Sequence, residues 1–220
     1  MFPPKSFNNR TPRSHDMTST ITRCMSVLAL AGAFLFSAPA IADDEKATID
    51  KKAPEFTLKD TAGKDRSLEE FKDKIVVLQW VNPDCPICRR VMENGTVTSM
   101  IKDCKAMDED IVFITINSTH YMEKDTKRNK EYLEKNKIEA IALLDDNGKV
   151  GKLYGARTTP HMYVIDEKGV LRYQGAITDD GRGKPKAKNH VTETVKQLTS
   201  DGTVSPTTTR PFGCGVKYKK

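Results

Sequence analysis

The run Ile75-Val76-Val77-Leu78-Gln79-Trp80-Val81 constrains this chain more than any other segment. It is almost continuously apolar and rich in β-branched residues, so a strand formed from it must be covered on both faces, in the middle of an α/β sheet. The flanking pattern agrees. Residues 86–106 read as a helix, 111–116 as a strand, 125–137 as a charged helix with Tyr132 and Leu133 inward, and 140–144 as a strand. Asn147-Gly148 makes a turn, 150–154 a short helical segment, 162–165 a strand, Glu167-Lys168-Gly169 a hairpin turn, 170–177 its partner strand and 189–198 a last helix. Upstream, residues 53–58 alternate as a short strand, and Ser67 with Glu70 three positions on spells a capping box that opens a short helix. Strands alternating with helices, closed by a hairpin and a helix, predict an α/β fold with a mixed central sheet flanked by helices.

The N-terminus stands outside that core. Residues 25–36 carry no charge, follow Arg23 and lead into Ser37-Ala38-Pro39-Ala40-Ile41-Ala42. Such a run is too short for a membrane anchor and ends in a small-residue A-x-A site, so residues 1–42 are expected to be a cleaved secretory signal, with Met17 as the start. Removing them takes away Lys5, Arg10, Arg13 and Arg23 against Asp16, which leaves 32 basic and 29 acidic residues, a net charge of +3. No basic cluster is interleaved with aromatics, which argues against nucleic acid as a partner, and no stable membrane insertion is expected. Composition, at 37% apolar and 30% charged over 220 residues, is that of one globular domain with additions. Residues 43–52 read as a flexible lead-in, 53–199 as the domain and 200–220 as an aperiodic C-terminal extension that wraps the surface.

Four cysteines follow the signal: Cys85, Cys88, Cys104 and Cys214. Asp84-Cys85-Pro86-Ile87-Cys88 lies where the buried strand hands over to a helix. There the first sulfur meets free N–H groups and the positive end of the helix dipole, which favour a thiolate. Pro86 fits the first turn, where its missing N–H has no intrahelical partner. Cys88, one turn on, is placed to attack a mixed disulfide on Cys85, so the pair reads as nucleophile and resolving thiol. A static disulfide and half a zinc site are the competing readings. Zinc would need a second ligand pair that the chain lacks, and neither a metal nor any other cofactor is expected. Arg89 and Arg90 read as solvation of the helix face. Cys104 reads as a small buried hydrophobe. Cys214 sits between Gly213 and Gly215 and is expected to be free or redox-coupled rather than bridged to Cys104.

Arg157-Thr158-Thr159-Pro160-His161 precedes the strand at 162–165, and Pro160 must sit at that strand's start. His161 reads as a surface histidine, with thiol tuning or metal binding as the alternatives. Four segments together resemble the AhpC/TSA-like redoxins, in particular secreted peroxiredoxin-like proteins of thioredoxin fold: Trp80 to Cys88, the Thr159-Pro160 loop, Tyr173-Gln174-Gly175-Ala176-Ile177-Thr178-Asp179-Asp180, and Phe212-Gly213-Cys214-Gly215-Val216-Lys217-Tyr218. The resemblance covers about residues 50–220. It implies a thioredoxin-like fold, a thiol–disulfide oxidoreductase acting on protein thiols and disulfides in the periplasm or outside the cell, and an electron-donating thiol protein as a further partner. It also implies a cis Thr159–Pro160 loop against the cysteine pair, with Pro86, Ile87, Thr159, Pro160 and His161 contacting substrate.

Two departures qualify the resemblance. The peroxiredoxin pattern P-x-x-x-T-x-x-C would need Thr and Pro where Cys85 and Val81 stand before Cys88, or where Asn82 and Leu78 stand before Cys85. The buried acid that accepts a proton in thioredoxins falls at Gln79, which cannot ionise. Thiol-dependent peroxide reduction is therefore an alternative activity. A copper-binding module using Cys85, Cys88 and His161 is another, on ligand softness.

Overall fold

The computed structural model describes residues 45–122, 125–182, 184 and 187–219. The segment expected to be a signal lies outside them. The apolar run forms β3 (Val76–Trp80), buried along its whole length. On one side β3 pairs in parallel with β4 (Val112–Asn117), which pairs in parallel with β5 (Ile141–Leu144). On the other side it pairs antiparallel with β7 (His161–Ile165), and β7 with β8 (Leu171–Gly175). Two short strands, β1 (Thr57–Asp60) and β2 (Asp65–Ser67), extend the sheet beyond β5. The parallel pairs require crossovers, and helices supply them: α1 (Pro86–Glu93) and α2 (Thr96–Met107) join β3 to β4, and α3 (Thr126–Lys135) joins β4 to β5. The remaining elements are α4 (Lys149–Leu153), β6 (Thr158–Thr159), α5 (His190–Ser200) and β9 (Cys214–Gly215). This is the mixed sheet and thioredoxin-like arrangement expected from the sequence.

Because strand residues alternate between faces, β3 feeds two apolar layers. Val77 joins Val81, Cys85, Cys88, Val91, Met100 and Val191 on one face. Val76, Leu78 and Trp80 join Phe56, Tyr154 and Tyr163 on the other.

Two expectations change. The helix expected over 86–106 is two helices. Gly95 adopts φ +81°, and Asn94 Oδ1 accepts from the Thr96 N–H at 3.1 Å and the Thr96 hydroxyl at 2.8 Å. An Asn-Gly pair inside a helical pattern is a turn signal, and here it wins over periodicity. The lead-in is docked rather than loose: Ala47 N–H donates to Leu153 O at 3.0 Å, Asp50 N–H donates to Leu171 O at 2.9 Å, and Lys52 bridges Val170. The C-terminal extension is laid down as structure too. Gln174 N–H donates to Thr207 O at 3.0 Å, Thr209 N–H donates back to Gln174 O at 3.2 Å, and β9 pairs antiparallel with β6. The edge of β8 had free backbone groups to satisfy, and aperiodic chain can satisfy them as well as a regular strand. The capping box at Ser67 is present and opens a 3-10 turn, Leu68–Phe71.

Candidate active site

Cys85 is the N-cap of α1, with φ −74° and ψ 118°, and Pro86 follows as the first helical residue. The approach from β3 is fixed by Asn82, whose side-chain oxygen accepts from the Asp84 N–H at 2.8 Å while its carbonyl accepts from the Cys85 N–H at 2.9 Å. Asp84 is ion-paired to Arg128 of α3, which ties the loop to a second element. The Cys88 N–H points at Cys85 Sγ from 3.5 Å. When protonated, Cys85 donates to the Thr159 carbonyl at 3.0 Å. Thr159–Pro160 is a cis peptide, as the resemblance implied, and Ser205–Pro206 is a second one that the sequence did not signal.

The two thiols are driven apart in acidity. Donation from the Cys88 thiol, then from the Cys214 thiol and the Cys88 N–H, lowers the Cys85 pKa to about 4, against the opposing effect of burial. Burial pushes Cys88 well above the ordinary thiol value, and the neighbouring Cys85 adds to the rise. One sulfur is thus a stabilised thiolate and the other a proton-carrying thiol beside it, the division that a nucleophile and a resolving group require.

The sequence-expected contacts fall into two groups. Pro86 is exposed and Ile87 half-buried beside the pair, Thr159 is buried with its carbonyl on Cys85, and Pro160, also buried, follows it across the cis bond. His161 does not join them. It is only 3% exposed, and alternation along β7 places it with Tyr163 in the aromatic layer, whereas Met162 faces the cysteines. The reading of a surface histidine is therefore corrected: the strand pairing of His161 with Trp80 carries it inside. The Arg157 N–H, 3.3 Å away, and the Tyr163 hydroxyl, 3.1 Å away, both approach His161 Nδ1. Burial first, and then Arg157, lower its pKa to about 4. The copper set Cys85, Cys88 and His161 is not assembled, and the described residues hold no group of three or more His, Cys, Asp or Glu suited to a metal.

Cys85 is also less open than a helix-terminal thiol is expected to be. It is 2% exposed and Cys88 is fully covered. The cover is the C-terminal segment, where β9 sets Cys214 opposite Thr159. Gly213, at φ +126°, makes the approach possible, because a Cβ there would run into the Thr159 carbonyl. Phe212 packs on Gly181, whose carbonyl accepts from the Arg90 guanidinium. Arg90 is thus a brace between α1 and the loop after β8 rather than simple solvation. Behind the pair, Gln79 is 3% exposed on the cysteine side of β3, and its Nε2 has no partner among the described residues. Sequence reasoning missed Tyr132 as a site neighbour. Its hydroxyl is buried without a partner among the described residues, and burial, with Cys88 and Cys85 nearby, raises its pKa strongly. Only its inward register on α3 was readable.

The profile of the AhpC/TSA family matches residues 49–174, more than half of the sequence. The chain belongs to the AhpC/TSA family. Similar proteins include the thiol-disulfide oxidoreductase ResA of Bacillus cereus, 24% identical over 179 residues, which cover 80% of this chain and 95% of that one. Chloroplastic peroxiredoxin Q of Suaeda salsa is 29% identical over 155 residues, covering 67% of this chain and 65% of its own length. Among solved structures, a hypothetical protein of Sinorhizobium meliloti matches with a TM-score of 0.70 at 23% identity, over 80% of this chain and 97% of that one. That last likeness speaks for the fold. With the family and these relatives, this AhpC/TSA protein is a thiol–disulfide oxidoreductase. No helix of its described residues is long and apolar enough to cross a membrane.

Proposed function

We propose that Cys85 and Cys88 are the working dithiol of this AhpC/TSA oxidoreductase, exchanging with protein thiols and disulfides in an oxidising compartment outside the cytoplasm. The observation that carries the reading is two sulfurs one turn apart at one helix N-terminus, with the Cys88 N–H directed at Cys85 Sγ from 3.5 Å; their acidities are shifted in opposite directions. Cys85 thiolate attacks a sulfur of the partner's disulfide, and the partner's other sulfur leaves. Cys88 then attacks Cys85 in the mixed disulfide, gives up its proton, and releases the partner's second thiol. The signal-like residues 25–42 support the compartment, and Pro86 and Ile87 supply surface for an extended partner segment, while Thr159 and Pro160 would be reached only once the C-terminal segment over them moves aside. An electron-donating thiol protein would restore the dithiol. A variant carrying both Cys88→Ser and Cys214→Ser, which leaves Cys85 no neighbouring thiol to displace the partner, is expected to trap that partner as a mixed disulfide on Cys85, identified by non-reducing mass spectrometry; trapping on another cysteine would overturn the assignment.

Peroxide reduction is the second reading, favoured by the likeness to peroxiredoxin Q. Cys85 thiolate would attack the terminal oxygen of a hydroperoxide, breaking the O–O bond to give a sulfenic acid and the protonated alcohol or water, and Cys88 would condense with the sulfenic acid to a disulfide and water. Asn82 and Leu78 stand where the peroxiredoxin pattern has Thr and Pro, so slow turnover is expected. Peroxide consumption with a thiol donor, measured beside insulin reduction, ranks the two.

A further inference from the structure

The Cys85 sulfur that must meet a partner is under cover, and the residue above it is another thiol. Cys214 is half-buried, while Cys85 is 2% exposed and Cys88 is fully covered. β9 places Cys214 across from Thr159, whose carbonyl faces Cys85 Sγ at 3.0 Å. Cys214 packs against the cluster that contains Cys85 and Cys88, and the Cys85 and Cys214 thiols shift each other's acidity in opposite directions. At the first turn of α1, Cys85 accepts from the Cys88 N–H at 3.5 Å, and Cys214 and Ile87 pack against the same cluster. The segment is pinned just after Cys214: Val216 N–H donates to Arg157 O at 3.1 Å, and the Tyr218 hydroxyl donates to Ala156 O at 2.7 Å. Cys104 does not compete, because it is fully buried on α2.

We propose that Cys214 is a third redox thiol, which exchanges with the Cys85–Cys88 disulfide to form a Cys85–Cys214 bridge and so carries the disulfide from the covered pair to the surface. This rests on the dithiol reading above. Cys214 loses its proton and attacks Cys85 Sγ. The Cys85–Cys88 bond breaks as the new one forms, and the departing Cys88 sulfur takes up a proton. Nothing is oxidised or reduced overall in that step. A reducing protein dithiol then attacks Cys214, the more exposed sulfur of the bridge, and Cys85 leaves as the thiolate that its surroundings already favour. The partner's second thiol resolves the mixed disulfide on Cys214, so the partner ends oxidised and this chain fully reduced. The C-terminal segment is then both the cover over the nucleophile and the contact through which electrons arrive.

The full chain with Cys88→Ser, oxidised by excess oxidised glutathione and digested without reduction, tests the bridge. Glutathione first caps Cys85, and Cys214 then displaces it. The Cys85–Cys214 peptide is expected as the main oxidised species; a stable Cys85–glutathione adduct with free Cys214 would overturn the proposal. In the full chain with Cys214→Ser, reduction of the Cys85–Cys88 disulfide by a thioredoxin-sized dithiol protein is expected to slow at least about tenfold, with small dithiothreitol less affected. Equal slowing by both reductants would mean that Cys214 only shapes the cover. Failure of the unsubstituted chain to form any Cys85–Cys88 disulfide would instead strike the dithiol reading itself.

Discussion

Gln79 and Trp80 are neighbours on β3 and point into differently finished layers. On the Trp80 face the buried polar groups are closed off. Trp80 Nε1 donates to Ser118 Oγ at 3.0 Å, Ser118 donates to Asp145 at 2.6 Å, and Asp145 accepts from the Gly151 N–H at 2.8 Å. The Tyr154 and Tyr163 hydroxyls likewise reach the carbonyls of Pro54 and Tyr154 at 2.7 and 2.9 Å. On the Gln79 face, Gln79 Nε2 and the Tyr132 hydroxyl are buried without partners among the described residues, next to thiols held at unequal acidity. Buried unpaired polar groups are destabilising, so a fold keeps them where chemistry needs them. The lesson is a division of labour across one strand, with stability on one side and reactivity on the other.

Substitutions can break that division. Cys85→Ser is expected to reduce insulin reduction to background while leaving the unfolding midpoint nearly unchanged; retained turnover would move the nucleophile elsewhere. Trp80→Ala is expected to do the reverse, costing about 3–5 kcal/mol in urea unfolding with the thiolate absorbance of Cys85 still present in the folded protein.

The two faces also respond differently to acid. The His161 pKa is lowered from 6.5 to about 4 in the folded protein, so the unfolded chain binds the extra proton between those values. Its contribution is complete above pH 6.5 and lost as pH falls towards 4, up to about 3 kcal/mol in all. His161→Asn should flatten that part of the stability curve, as urea midpoints across the window will show. Cys85, lowered to about 4, keeps its thiolate through the same window, so its ultraviolet absorbance should fade only near that value. Gln79→Leu removes an unpaired amide and is expected to raise stability by about 1 kcal/mol without loss of the Cys85 thiolate; a marked loss of stability would show that the amide has a partner in solution. Arg128→Ala breaks a half-exposed pair with Asp84 and should cost less than about 1 kcal/mol.

Much of this was readable from local chemistry. The apolar run, broken only by Gln79, gave the central strand, and Cys-Pro-Ile-Cys after it gave the α1 site, because a proline-started helix after a buried strand leaves little choice of geometry. Gln79 was placed behind the pair by resemblance alone, and its burial agrees. What stayed hidden depended on distant pairing. The aperiodic segment around Cys214 carries no hydrophobic alternation, yet the backbone groups of β6 and the edge of β8 order it. His161 resembled any histidine beside a loop until its register with Trp80 put it inside. Asn94-Gly95 was visible in the sequence but was outweighed by the helical spacing on either side.

The covering of Cys85 also has a consequence in time. Thr159, which faces its sulfur, lies 74 residues further along the chain, and Cys214 lies 55 residues beyond Thr159. Contacts across such separations close large loops and form late compared with a helix turn or hairpin. A folding chain therefore presents its most reactive sulfur to every passing thiol before β9 settles. The correct oxidation state is decided by a race between docking of that strand and encounters with other molecules, and a refolding experiment at rising glutathione concentration would time it.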